Sequence, residues 1–122
     1  MKFTITYNPL KTVLVVDNDL GFMAYLCMTL TKYGYTAVPT SNAARAMLLL
    51  KELDVPHVDV LVVNFDVPGS LELAKALGSK VIAIERPSEG VTIAATLQRP
   101  LRVSKKIERE WLRIFANLLG EA

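Results

Sequence analysis

Cysteine, histidine, unbalanced charge and long apolar runs are all scarce in this chain, and each scarcity excludes something. Cys27 is the only cysteine, so no internal disulfide can form, and a lone thiol fits a reducing compartment. His57 is the only histidine and has no cysteine beside it, which leaves a metal site or a phosphohistidine without support. The formal net charge is +2, too small to announce a nucleic-acid or membrane partner. No apolar run approaches the length of a membrane span. Lys2 is not followed by the apolar core of a signal peptide, so the expected location is the cytoplasm. Neither a Gly-x-Gly-x-x-Gly turn nor a Walker loop is present, which removes the phosphate-binding turns of the common nucleotide folds. There is no internal repeat and no low-complexity tract.

What is present is apolar and patterned. Hydrophobic residues make up 52% of the chain, which argues against disorder, and 122 residues give room for one domain with a real core. The centre of the pattern is Val58-Asp59-Val60-Leu61-Val62-Val63-Asn64-Phe65-Asp66-Val67-Pro68-Gly69. It begins as a β-branched apolar run bounded by Pro56 and by Pro68-Gly69, which reads as a strand buried on both faces. Such strands lie in the middle of parallel sheets, whose ligands and chemistry sit beyond the carboxyl ends of the strands. Asn64 stands at that end, where a carboxylate would be the natural reactive group.

Around this strand, sheet and helix signals alternate. Thr12 to Val16 is a first buried strand, followed by Asp17-Asn18-Asp19 and a helix from roughly Leu20 to Tyr33 with Phe22, Leu26 and Leu30 on one face. Asp19 is placed to cap that helix. A second strand is expected at Tyr35 to Val38, and a second helix at about Asn42 to Leu53, capped by Ser41, burying Ala44, Met47, Leu48 and Leu50. Ser70 to Leu77 is a short helix, Lys80 to Ile84 a fourth strand, Thr92 to Leu97 a fifth, and about Val103 to Leu119 a last helix with Ile107, Trp111, Ile114, Phe115 and Leu118 inward. Alternating strands and helices predict an α/β sandwich on a parallel sheet, in the flavodoxin-like order 2-1-3-4-5. Residues 1–11 stand apart as a small arm, with Phe3, Ile5 and Tyr7 alternating with polar residues before Asn8-Pro9, and residues 12–122 form the domain.

From Thr12 to about Leu119 this pattern resembles the receiver (CheY-like) domains of bacterial response regulators. Val13 to Asp19 is similar to that family's first strand and acidic cluster. Pro56 to Gly69 resembles its third strand with the Pro-Gly turn after the phosphate acceptor, Val81 to Ile84 its fourth strand, and Arg99-Pro100 its basic-residue-proline pair. The resemblance implies a five-position phosphorylation pocket. The acceptor falls on Asn64, the metal-binding pair on Asp17 and Asn18, the Ser/Thr position on Glu85 and the Lys position on Arg99. Only Asp17 keeps the family's residue type.

Each departure has a chemical consequence. An amide at 64 cannot form an acyl phosphate. Mg2+ requires hard, charged oxygen ligands, so binding by Asp17 with two amides is expected to be weak or absent. Arg99 is a permanent cation whose planar fork suits carboxylates, which predicts an internal pair with Glu85 or with Asp17. The expectation is a degenerate, non-enzymatic receiver of a two-component or phosphorelay type system, independent of phosphorylation and acting as a protein-interaction module. Two alternatives accompany it. Asp66 could serve as a displaced acceptor. Asp17-x-Asp19 also resembles the first motif of haloacid-dehalogenase phosphohydrolases, against which stands the helix beginning directly after Asp19.

The fourth helix of the family has no room here, because Arg86-Pro87-Ser88-Glu89-Gly90-Val91 is too short and too broken by Pro and Gly. The face of strands four and five is therefore expected to be uncovered and to serve, with the last helix, as a surface for a protein partner or a homodimer. Its expected residues are Arg86, Val91, Ile93, Arg102, Lys105, Lys106 and Arg109. The basic residues of the last helix are interleaved with Glu108 and Glu110, which reads as a solvated face rather than a nucleic-acid site.

Overall fold

A computed structural model of the chain describes residues 11–120. Of the expected arm, residues 1–10 lie outside the described residues. Five strands follow one another as β1 (Thr12–Val16), β2 (Thr36–Thr40), β3 (Val60–Val63), β4 (Lys80–Ile84) and β5 (Ala95–Leu97). The helices are α1 (Leu20–Lys32), α2 (Ala46–Glu52), α3 (Ser70–Leu77) and α4 (Lys105–Leu118), and a short 3₁₀ turn at Ala43–Arg45 leads into α2. All strand pairs are parallel and the sheet order is β2-β1-β3-β4-β5, the expected flavodoxin-like topology.

The period of two in the strands divides the core into two layers. Val13, Val15, Val60, Val62, Ile82 and Ile84 face α1 and α4, where they meet Phe22, Leu26, Leu30, Trp111 and Phe115. Leu14, Val16, Leu61, Val63 and Val81 face α2 and α3, where they meet Ala46, Leu50, Leu73 and Ala74. Register aligns Val15 with Val62, Val62 with Ile82, and Ile82 with Ala95, so one row of small and branched side chains crosses the sheet. Each fully buried Leu, Ile or Phe of these layers contributes roughly 1.5–3 kcal/mol of transfer free energy.

Four local expectations are corrected. The second strand runs two residues further than expected and includes Pro39, which is tolerated because β2 is an edge strand. Asn42, not Ser41, supplies the cap, and it caps the 3₁₀ turn that leads into the second helix, its side chain accepting from the Arg45 amide at 3.2 Å. The 3₁₀ turn winds more tightly than an α-helix and rotates the faces of α2. Ala43, Ala46 and Leu50 are therefore buried, while Ala44, Met47 and Leu48 face solvent. The fifth strand is only three residues long.

That last difference rebuilds the face that was expected to be open. Among the described residues no helix lies between β4 and β5. The connector doubles back over the sheet instead: Ala94 N–H donates to the Val81 carbonyl at 2.8 Å, and Val91 and Ile93 pack on the α2/α3 layer. Ile93 thus lies on the opposite side of the sheet from Ala95 and Leu97, whereas an unbroken strand from Thr92 to Leu97 would place all three on one side. Val81 and Ala83 are buried, and Val91 and Ile93 of the connector pack against the cluster that contains Val81, so that part of the face is covered from within the chain.

Candidate functional site

Four residues that the sequence singles out converge because each follows the end of a strand. Asp17 follows β1, Asn64 follows β3, Glu85 follows β4 and Arg99 stands two residues beyond β5. The sheet ladder holds their backbones: Asn64 N–H donates to the Val16 carbonyl at 2.8 Å and Glu85 N–H to the Leu97 carbonyl at 2.7 Å. Asp19 caps α1 as expected, Oδ1 accepting from the Phe22 amide at 3.0 Å, which leaves Oδ2 turned toward the same place.

Arg99 is the hub. Its Nη2 donates to Asp17 Oδ1 at 2.6 Å, its Nη1 to Glu85 Oε1 at 3.5 Å, and its Nε lies 3.5 Å from Asp19 Oδ2. The Arg99 backbone amide adds a 3.2 Å bond to Glu85 Oε1. The guanidinium carbon sits 5.7 Å from the centroid of the Phe22 ring, a cation–π contact. Both expected pairings of Arg99 are therefore made at once, with Asp19 as a third carboxylate. Burial disfavours the charged guanidinium, but the Asp17 hydrogen bond and the charges of Asp17, Glu85 and Asp19 outweigh it and raise the Arg99 pKa above its ordinary value.

Asp17 is wholly buried and its Oδ1 is saturated, accepting from Arg99, from the Asn18 amide at 2.8 Å and from Asn64 Nδ2 at 3.0 Å. Asn64 also directs Nδ2 to Asn18 Oδ1 at 3.5 Å, while its Oδ1 accepts from the Asp66 amide at 2.9 Å. The amide at 64 thus serves two acceptors and one donor, a set that a carboxylate could not satisfy. Asp66 itself is mostly exposed and pairs with Arg86 at 2.9 Å on the surface.

Glu85 adopts φ of 67°, in the left-handed region that side-chain-bearing residues avoid. The Arg86 amide bonds back to the Ile84 carbonyl at 2.8 Å, closing a three-residue turn with Glu85 at its apex. That turn aims the carboxylate at Arg99.

These residues do not fit Mg2+, the ion that the resemblance implies. Asp17 Oδ2 is buried and unpartnered, but it is the only uncommitted carboxylate oxygen of Asp17, and Asn64 Oδ1 is engaged by Asp66. A guanidinium already supplies the positive charge at 2.6 Å, and a divalent cation beside it would be repelled. Among the described residues no group of three or more His, Cys, Asp and Glu is arranged to hold a metal.

The remaining sequence candidates lie elsewhere. Arg86, Arg102, Lys105, Lys106 and Arg109 are exposed, whereas Val91 and Ile93, in the connector itself, are half-buried against the α2/α3 layer. His57 is at the opposite end of β3, bonded to Asp59 at 2.8 Å, beside a hollow of about 690 Å³ lined by Met47, Leu50, Lys51, Val55 and Leu77. Cys27 packs against the α1/α4 core, and burial pushes its thiol up to about 11. Sequence reasoning misses Glu108. It is buried, with Oε2 accepting from the Tyr25 hydroxyl at 2.8 Å and Oε1 lying 3.4 Å from Lys32 Nζ. The signal was its place at i−3 from Trp111, on the inward face of α4.

No protein-family model matches the chain, and no curated protein is significantly similar to it. Solved structures are. The chain is similar to a response regulator receiver protein from Burkholderia phymatum, with 20% identity, 91% of this chain and 96% of that one covered, and a TM-score of 0.70. It is similar to the signal receiver domain of an HD domain-containing protein from Pseudomonas fluorescens Pf-5, with 18% identity, 98% and 92% covered, and a TM-score of 0.71. It is also similar to the chemotaxis response regulator CheY4 of Vibrio cholerae, with 17% identity, 85% and 97% covered, and a TM-score of 0.63. The fold is that of response-regulator receiver domains.

Proposed function

From the receiver fold and the closed charge network at its strand ends, we propose that this chain is a phosphorylation-independent receiver-like domain. It acts as a protein-interaction module in a two-component or phosphorelay type system, in the cytoplasm, and is not an enzyme. The observation that carries the proposal is the 2.6 Å bond from Arg99 to a wholly buried Asp17, extended to Glu85. Arg99 offsets the charge of the buried Asp17 from within and ties Asp19 and Glu85 to the same guanidinium, a role that a bound cation would otherwise fill. Asn64 supports the same reading, because its amide donates to Asp17 and offers no carboxylate to a phosphodonor. Burial argues likewise against a phosphohydrolase nucleophile at Asp17: its Oδ1 is taken by three donors and its free Oδ2 is shut off from solvent. Among the described residues no helix is long and apolar enough to cross a membrane.

The test is the amide NMR spectrum of the protein with Mg2+ and either acetyl phosphate or beryllofluoride. The expected result is an unchanged spectrum. Saturable shifts over residues 64–69 would sink the proposal and move the weight to Asp66, whose exposed carboxylate is the nearest alternative acceptor. Loss of those shifts in Asp66→Asn would identify it as such.

A further inference from the structure

The outer face of α4 is more basic than the order of its residues implies. Lys106, Arg109 and Arg113 recur at i, i+3 and i+7 and so lie along one side of the helix, with Arg102 just before its first turn. All four are exposed, and among the described residues none of them makes an ion pair. Glu108, which by its place in the sequence would offset them, is turned inward and committed to Tyr25 and Lys32 of α1. Glu110 is then the one acidic side chain left on the exposed face. At the foot of the helix, Leu101 is fully exposed and Val103 is half-exposed. A row of unneutralised cations repels itself and attracts an anionic partner. Two apolar side chains at its foot give that partner something to bury, which a nucleic-acid backbone would not use. No aromatic side chain is exposed on α4 to stack a base.

We infer that Arg102, Lys106, Arg109 and Arg113, with Leu101 and Val103 at their foot, dock an acidic protein segment that carries apolar side chains. The inference rests on the interaction role proposed above and gives the partner its chemistry. It also moves the contact surface away from Val91 and Ile93, which the connector turns inward, half-buried against the α2/α3 layer. The acidic residues of the segment pair along the helix, and its apolar side chains cover Leu101 and Val103.

Fluorescence anisotropy of a labelled helical peptide of Glu, Ala and Leu, titrated with the full chain, tests it. Binding is expected, and it should weaken roughly tenfold between low salt and about 0.3 M. A variant carrying Lys106→Gln, Arg109→Gln and Arg113→Gln should lose about tenfold or more in affinity, with its circular dichroism unchanged. Leu101→Ser should weaken binding at every salt concentration. The inference is overturned by absence of binding, by full affinity in the triple variant, or by tighter binding of an oligothymidylate of equal charge. A spectrum that responds to beryllofluoride in a protein that still binds the peptide would defeat phosphorylation independence and leave this surface standing. A silent pocket with no peptide binding would do the reverse.

Discussion

Asp17 and Arg99 are 82 residues apart in the chain and meet at 2.6 Å, the carboxylate wholly buried and the guanidinium about a quarter exposed. Desolvating Asp17 would be unfavourable without a partner, and the charge-assisted bond to Arg99 offsets that cost. Because one of them follows β1 and the other β5, the pair ties a central strand of the sheet to its edge. Arg99→Ala is therefore predicted to destabilise the fold by about 1–3 kcal/mol, below the range for a fully buried pair because solvent reaches the guanidinium. In urea unfolding, Asp17→Asn and Arg99→Ala together should cost clearly less than the sum of the singles. The Glu85–Arg99 cycle should show smaller coupling, since that contact is 3.5 Å long and Glu85 is more exposed. Equal coupling in the two cycles, or none in either, would contradict the arrangement.

Asn64→Asp is the substitution that restores the family's residue, and it should harm this protein rather than repair it. It replaces the Nδ2 donor, 3.0 Å from Asp17 Oδ1, with a second carboxylate. Near neutral pH the lost bond and the like-charge repulsion should lower stability by about 1–3 kcal/mol. The loss should shrink in acid, where one carboxyl of the pair takes up a proton. Denaturation midpoints at neutral and acid pH check this, and an Asn64→Asp protein as stable as the parent at neutral pH would mean that the pocket carries more positive charge than Arg99 supplies.

Much of this was legible in the chain. The β-branched runs at 12–16, 60–63 and 80–84 identify buried strands, and parallel topology then forces Asp17, Asn64, Glu85 and Arg99 to one end of the sheet. That Arg99 would pair with Glu85 or with Asp17 followed from its charge and planar fork; that it meets both, with Asp19 as a third carboxylate, did not. What the chain did not reveal depends on tertiary context. The 3₁₀ turn at Ala43–Arg45 rotates α2 away from its apolar periodicity, leaving Met47 and Leu48 outside. Val91 and Ile93 lie in a segment with no periodicity, so nothing local indicated that they would pack against the cluster that holds Val81. Glu108 reads as a surface charge until Tyr25 and Lys32 from α1 are seen to meet it.

At Glu85 two requirements conflict, and the conflict can be measured. The side chain is needed for Arg99, yet φ of 67° disfavours any residue with a Cβ. Glu85→Ala removes the carboxylate and keeps the strain, whereas Glu85→Gly removes both. The glycine variant should be more stable than the alanine variant by roughly 1 kcal/mol. Alanine equal to or better than glycine in thermal unfolding would show that the turn relaxes when the Arg99 contacts are gone.

The Tyr25–Glu108 bond should shape stability against pH from both sides. The Tyr25 hydroxyl, and behind it the Lys32 ammonium, hold the Glu108 carboxyl below its ordinary value of 4.5 against the opposing effect of burial. A carboxyl lowered on folding contributes stability that is present above 4.5 and lost as pH falls through the lower folded value. The same bond, then burial and the Glu108 charge, raise the Tyr25 hydroxyl above its ordinary 10.0. A phenol raised on folding contributes stability that is present below 10.0 and lost as pH rises through the higher folded value. Tyr25→Phe keeps the ring against Trp111, at 5.7 Å between centroids, and removes only the hydroxyl. Its denaturation midpoint should therefore fall below the parent's across the neutral range. In acid and in alkali the two curves should converge, because the parent loses there what the variant never had. Parallel curves at every pH would show that the hydroxyl's bond to Glu108 does not couple to ionisation.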